Sequence, residues 1–139
     1  MKFYTPIAIA ILSSYFISTS LYATPVDDLL AEYRSAGIET FSEEAGKTLW
    51  SQEFTDAKTG KIRQCTTCHT ADLRNEGKHV RTGKVIKPLT PTVNSERLTN
   101  VKKIRKWFKR NCKWTLGREC NSQEKGDILL FIQNFNGEQ

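Results

Sequence analysis

Residues 65–69 read Cys-Thr-Thr-Cys-His, two thiols three positions apart with an imidazole directly after the second. C-x-x-C-H is the pattern of covalent haem attachment. The thiols add across two vinyl groups of the macrocycle, whose separation dictates the cysteine spacing, and one further residue brings an imidazole to the metal. Cys65 and Cys68 are therefore the expected thioether cysteines, and His69 the expected proximal ligand, of one haem c. Other uses of the cluster fit less well. A zinc site needs four nitrogen or sulfur ligands, and Cys112, Cys120 and His79 stand at spacings that match no common zinc pattern. A thioredoxin-like redox pair needs strands alternating with helices around it. A disulfide between Cys65 and Cys68 would leave His69 without a role.

The second axial ligand is the open question. Met1 is the only methionine, and it lies in a segment expected to be removed, so no thioether remains to complete the site. The alternatives are His79, a lysine, a side-chain oxygen or amide, or an open position. His79 follows His69 by only ten residues, a short path around a haem edge. A lysine must lose its proton before it can ligate, which costs free energy at neutral pH. Asn111 is the odd residue of its helix, an amide among apolar neighbours.

The elements that must position these residues are read from pattern. Residues 1–23 have one charge, Lys2, a mostly apolar run from Ile7 to Tyr22, and small residues before Thr24. This is the form of a cleaved export signal, with the domain occupying residues 24–139. A retained membrane anchor is the poorer reading, because the apolar run is short and broken by Ser13 and Ser14. The net charge of +6 becomes about +5 once Lys2 is gone, giving a small basic protein outside the cytoplasm, expected in the periplasm, where disulfides persist. Nucleic acid is not an expected partner of an exported haem protein.

A helix is predicted over Asp27–Ser35, stopped by Gly37, and a second over Ser42–Phe54, with Thr40 and Glu43 forming a capping box. Residues 70–100 have no clear period and read as a long loop, plausible only if it wraps a ligand. Among its cations, Arg74, Lys78, Arg81 and Lys84 are candidates for pairing with haem propionates. A third helix is predicted over Val101–Asn111, with Val101, Ile104, Trp107, Phe108 and Asn111 on one arc and six cations on the other. Those cations are either a docking face for an acidic redox partner or simply a wetted surface. The last helix follows the cap Asn121 with Glu124 three residues on, burying Ile128, Leu129, Phe131, Ile132 and Phe135. No periodic strand is found, and the expected class is all-α.

Taken together, the attachment motif, Gly46 with Trp50 four residues later, and Phe131 on the last helix resemble the class I cytochromes c, in which an N-terminal and a C-terminal helix cross at such residues. A closer resemblance covers about residues 45–132. The stretches "CTTCH", "RTGKVIKPLTP", "ERLTNVKKIRKWFKRNC", "LGREC" and "EKGDILLF" are similar to the Sphaeroides haem protein family. That resemblance implies that Asn111 ligates ferric iron and that Cys112 and Cys120 form a disulfide. It also implies one-electron transfer, with diatomic gases such as oxygen or nitric oxide binding after Asn111 leaves on reduction, and a dihaem or membrane cytochrome as electron donor. A neutral amide, hard and weakly held, suits ferric better than ferrous iron. The competing functional classes are a pure electron carrier, a gas-binding protein or sensor, and a terminal enzyme reducing oxygen or a nitrogen oxide. Besides His79 no convincing proton donor for an enzyme is found.

Overall fold

The computed structural model describes Met1 and residues 23–137. The expected signal over residues 1–23 lies, but for its two end residues, outside the described residues. Five helices occur: α1 (Pro25–Ser35), α2 (Glu43–Ser51), α3 (Thr66–His69), α4 (Val101–Thr115) and α5 (Ser122–Asn134). The loops add two ladders that the all-α reading did not anticipate. Strand β1 (Phe54–Thr55) pairs antiparallel with β2 (Ile62–Arg63), and β3 (Gly77–Lys78) with β4 (Val85–Ile86). Each strand is two residues long, too short to leave a period-two signature.

Helix α1 starts two residues before the predicted Asp27. Thr24 is its N-cap, Asp27 closes a reciprocal capping box, and Pro25 sits in the first turn, where a missing N–H costs nothing. Val26, Leu29, Leu30 and Tyr33 form its buried stripe. Helix α2 is capped by Ser42, not Thr40: the Ser42 hydroxyl accepts from the Ala45 N–H at 3.1 Å. It ends at Ser51 because Phe54 is drawn into the ladder opposite Arg63.

Helices α2 and α5 cross in contact. A Cβ at Gly46 would sit on the Asp127 carbonyl and 2.9 Å from the Phe131 Cβ, so only glycine allows this approach. The Asp127 carboxylate, buried in the crossing, accepts from the Ser42 N–H at 2.7 Å and from the Gln123 amide at 2.8 Å. The class I crossing expected from Gly46, Trp50 and Phe131 is thus present, with the Trp50 and Phe131 rings 5.9 Å apart.

Two apolar clusters flank the crossing. One joins Val26, Leu29, Leu30 and Tyr33 to Ile104 and Leu129. The other joins Trp50 and Leu73 to Ile128, Phe131, Ile132 and Phe135. Phe108 and Leu98 pack against both, and Leu98 adopts a left-handed backbone (φ 58°), a conformation a branched residue takes only where its surroundings hold it. The 70–100 segment is pinned rather than loose. Leu89 and Thr90 N–H groups both donate to the Leu73 carbonyl, and the buried Thr90 hydroxyl donates to the Phe135 carbonyl at 2.9 Å.

Helix α4 differs from its prediction. It runs one turn past Asn111 to Thr115, so Asn111 is interior to the helix and is not its C-cap, which is Leu116. Cys112 and Thr115 continue its buried side, and Gly117 (φ 74°) ends the extension. Trp107, placed on the apolar arc by its spacing, is 48% exposed, with the Arg110 guanidinium 5.2 Å above its ring.

Candidate functional site

The attachment motif forms a single helical turn, α3, with Cys65 at its N-cap and the His69 N–H donating to the Cys65 carbonyl at 3.1 Å. One turn returns position i+3 to nearly the same side, so the helix itself aligns the two cysteines. Cys65 and Cys68 are half-buried free thiols. Two neighbours fix this turn. The Trp50 indole N–H donates to the Thr70 carbonyl at 3.0 Å, with its ring 5.6 Å from the imidazole of His69. From the other side, Gly77 of β3 presses its bare Cα against the Cys68 carbonyl, and a Cβ there would lie 3.0 Å from the His69 Cα.

His69 is the electrostatic centre of the site. Burial first, then the charges of Arg97 and His79, push its pKa down to about 4, so the imidazole is neutral at physiological pH. Its Nδ1 is buried and has no hydrogen-bond partner. A buried, unsatisfied polar atom calls for an explanation, and a neutral imidazole is the form that ligates metal. Burial, with Cys68 adding to it, raises the Cys65 thiol to about 12, so this sulfur is protonated and poorly nucleophilic towards solvent oxidants.

Helix α4 closes the site from a distant part of the chain. Thr115 lies beside Cys65, where its hydroxyl partly offsets the upward effect of burial on the thiol, and Asn111 lies one turn before Thr115 on the same face. The Asn111 side chain is half-buried and makes no hydrogen bond among the described residues. A second link ties the end of α4 to the segment before the motif. The Arg63 guanidinium donates to the Trp114 carbonyl at 2.7 Å, lies 4.8 Å over the Trp114 ring, and pairs with Asp56 at 2.8 Å. Directly after Asn111, Cys112 is joined to Cys120.

The other candidates fall elsewhere. His79 is engaged in the β3–β4 turn, where its Nδ1 accepts from the Arg81 and Thr82 N–H groups at 3.3 and 3.2 Å. Arg74 is committed to a two-pronged pair with Asp72, which draws the Asp72 carboxyl down to about 2. Lys78, Arg81 and Lys84 are exposed around the β3–β4 hairpin. Arg97, which the sequence did not single out, is half-buried instead. It donates to the Pro88 and Lys87 carbonyls at 2.7 and 2.6 Å, has no carboxylate partner among the described residues, and its charge reaches His69. Nothing in a loop without periodicity separates Arg97 from its exposed neighbours.

The donor set fits a covalently held haem. Two free thiols lie on one turn, a neutral imidazole with an orphaned nitrogen follows them, and an unspent amide stands on the opposing helix. A zinc site does not fit, since no three His, Cys, Asp or Glu side chains gather to hold a metal among the described residues.

Comparison with known proteins agrees. Residues 36–132 match the family model described as a domain of unknown function, DUF1924. The chain is 38% identical over 104 residues to the cytochrome c-type protein SHP of Cereibacter sphaeroides, covering 75% of this chain and 79% of that one. Its fold is similar to that of oxidised cytochrome c'' from Methylophilus methylotrophus, with a TM-score of 0.72, 29% identity, and coverage of 83% and 98% of the two chains. It is likewise similar to the structure of oxidised SHP, described as an oxygen-binding cytochrome c, with a TM-score of 0.69, 35% identity, and coverage of 79% and 96%.

Proposed function

The chain belongs to the DUF1924 family and is an SHP-like, class I cytochrome c carrying haem c, and from that premise we propose that Asn111 is its redox-dependent distal ligand. Haem c supplies a one-electron couple and, where a coordination position is free, a place for a diatomic gas. In this reading Cys65 and Cys68 hold the group by thioethers, and His69 presents a neutral imidazole as its proximal ligand. Asn111 would offer a weak amide to the oxidised form and be held less firmly by the reduced one, where a diatomic gas such as oxygen or nitric oxide could take its place. The similarity to an SHP described as oxygen-binding supports the last step.

The observation that carries the proposal is the position of Asn111, an unspent half-buried amide one helical turn from Thr115, the buried residue of α4 that lies beside Cys65. The disulfide that starts at the next residue limits where the amide can travel. We infer a carrier and gas-binding protein rather than an enzyme, exported to the periplasm after loss of residues 1–23. A dihaem or membrane cytochrome would be its electron donor. No helix among the described residues is long and apolar enough to cross a membrane.

Absorption spectra of the ferric and ferrous protein, with and without carbon monoxide, test this for the wild type and Asn111→Ala. The expected results are an altered ferric spectrum in the variant and a wild-type ferrous form that takes up carbon monoxide. An unchanged ferric spectrum in Asn111→Ala removes Asn111 as ligand. A wild-type ferrous protein that stays six-coordinate and ignores carbon monoxide removes the gas-binding reading.

A further inference from the structure

Helix α4 buries only Ile104, Cys112 and Thr115 of its fifteen residues, so the placement of Asn111 leans on specific links at the helix end. The disulfide from Cys112 runs to Cys120, just before α5, and therefore ties α4 to its successor and not to the attachment turn. Arg63 does the latter. Its Nη1 donates to the Trp114 carbonyl, 51 residues away in sequence, at 2.7 Å and pairs with Asp56 at 2.8 Å, while the guanidinium lies 4.8 Å over the Trp114 ring. The Trp114 carbonyl is among the last four of α4, which lack partners within the helix, and a cation there meets the negative end of the helix dipole. One planar group thus answers a carboxylate, a carbonyl and a ring at once, which the point charge of a lysine cannot do.

Both ends of this clasp are stiff. The Asp56 carboxylate also accepts from the Thr59 N–H and hydroxyl at 2.8 and 2.6 Å, and Arg63 stands in β2 opposite Phe54. The next residue, Gln64, is bound into the attachment turn. Its N–H donates to the Thr67 hydroxyl at 3.2 Å, its carbonyl accepts from the Thr67 N–H at 3.1 Å, and its amide oxygen accepts from the Thr66 hydroxyl at 2.7 Å. A continuous path therefore runs from Cys65 through Gln64 and Arg63 to Trp114, three residues after Asn111.

We infer that Arg63 is a positioning residue for the distal amide, setting the last turns of α4 against the attachment turn so that Asn111 stays within reach of ferric iron. The inference rests on the reading of Asn111 as ferric ligand. A neutral amide binds weakly, so its occupancy depends on being held in place and not on the strength of its own bond.

The test is cyanide titration of the ferric holoprotein, since cyanide competes with Asn111 for the iron and binds more tightly as the amide is held less firmly. Arg63→Gln should tighten cyanide binding about 10-fold, the scale of one lost charged hydrogen bond. Arg63→Lys keeps the charge without the fork and should tighten it about 3-fold, which guards against a misfolded variant. In an Asn111→Ala background, Arg63→Gln should change the affinity less than about 2-fold, because the residue it positions is gone. Thr24→Ala removes the α1 cap and so destabilises the fold elsewhere; it should leave cyanide affinity as it is. Unchanged affinity in Arg63→Gln, while Asn111→Ala binds more tightly, would overturn the positioning role and leave the ligand reading intact. The same tightening in both backgrounds, or an equal one in Thr24→Ala, would also overturn it. An Asn111→Ala protein that binds cyanide no more tightly than the wild type would instead remove the ligand reading, and this inference with it.

Discussion

Helices α4 and α5 follow one another, joined by the short segment that the disulfide closes, yet they solve different problems. Helix α5 buries six of its thirteen residues, including Gly126 and Asp127, and crosses α2 at Gly46. Its cap is complete, with Asn121 and Glu124 in a reciprocal box and Arg118 pairing with Glu124 at 2.6 Å. Helix α4 buries three of fifteen, mounts cations outward without acids, and holds an unspent amide inward. The contrast separates a helix whose cap, carboxylate and apolar face are all matched inside the fold from one with few buried residues and an unspent inward amide. The second helix needs help to stay in place, and Arg63, Thr115 and the disulfide supply it.

The largest test of that contrast lies in α5. Phe131→Ala removes a ring packed against both Trp50 and Phe135, and should cost about 3–5 kcal/mol by denaturant unfolding of the holoprotein. An equivalent loss from Phe108→Ala, half-buried on α4, would erase the distinction. Gly46→Ala should cost about 3 kcal/mol, since its methyl meets backbone that cannot turn aside. Next is the staple at the end of α4. C112S/C120S opens a loop of sequence separation 8 and should cost about 2.5 kcal/mol in the chain-entropy model. It should also perturb the ferric spectrum, as Phe131→Ala should not; an unchanged spectrum would reduce the disulfide to a plain staple.

Smaller effects sharpen the comparison further. Lys106→Glu turns four like-charge neighbours on α4 into attractive ones and should raise stability at low salt by about 1 kcal/mol. A loss of stability would show that the cations already serve the fold. Acid sensitivity should map to the other elements, because α4 has no carboxyl to titrate. The Arg118 pair and the Asn121 cap hold Glu124 below the usual carboxylate range. The unfolded chain therefore binds the proton more readily, and the contribution of Glu124 is present above its unfolded pKa and lost as pH falls through the folded one. Glu124→Gln should lower stability at pH 7 by a fraction of a kcal/mol after solvent screening, and leave the two proteins equal at about pH 2. A difference that persists there would point to packing instead of charge.

Much of this was legible beforehand because it depends on short-range chemistry. The spacing of "CTTCH" pointed to haem attachment from five adjacent residues, and the 3.6-residue period put Asn111 on the inner arc of α4. The start of α5 was readable from Asn121 and Glu124, a local hydrogen-bond exchange. Other starts were misplaced because competing caps stood nearby: Thr40 yielded to Ser42, whose own N–H is bound by Asp127 from 85 residues away. The exposure of Trp107 could not be read, since periodicity places a residue on an arc but not what packs against its shoulder. Arg97 and Asp127 were missed for the same reason, as a charge becomes a buried one only when distant segments cover it.

The sequence by itself determined which atoms can bind a haem, which residues cannot, and which helix faces are apolar, because bond lengths and helical period set these locally. Tertiary structure decided the rest. It set Thr115 beside Cys65 and so brought Asn111 towards the attachment turn, spent His79 in a hairpin, buried the His69 Nδ1 and kept the imidazole neutral, and paired Arg105 alone of the α4 cations with a carboxylate among the described residues. Those outcomes depend on burial and on contacts across tens of residues, which no local pattern encodes.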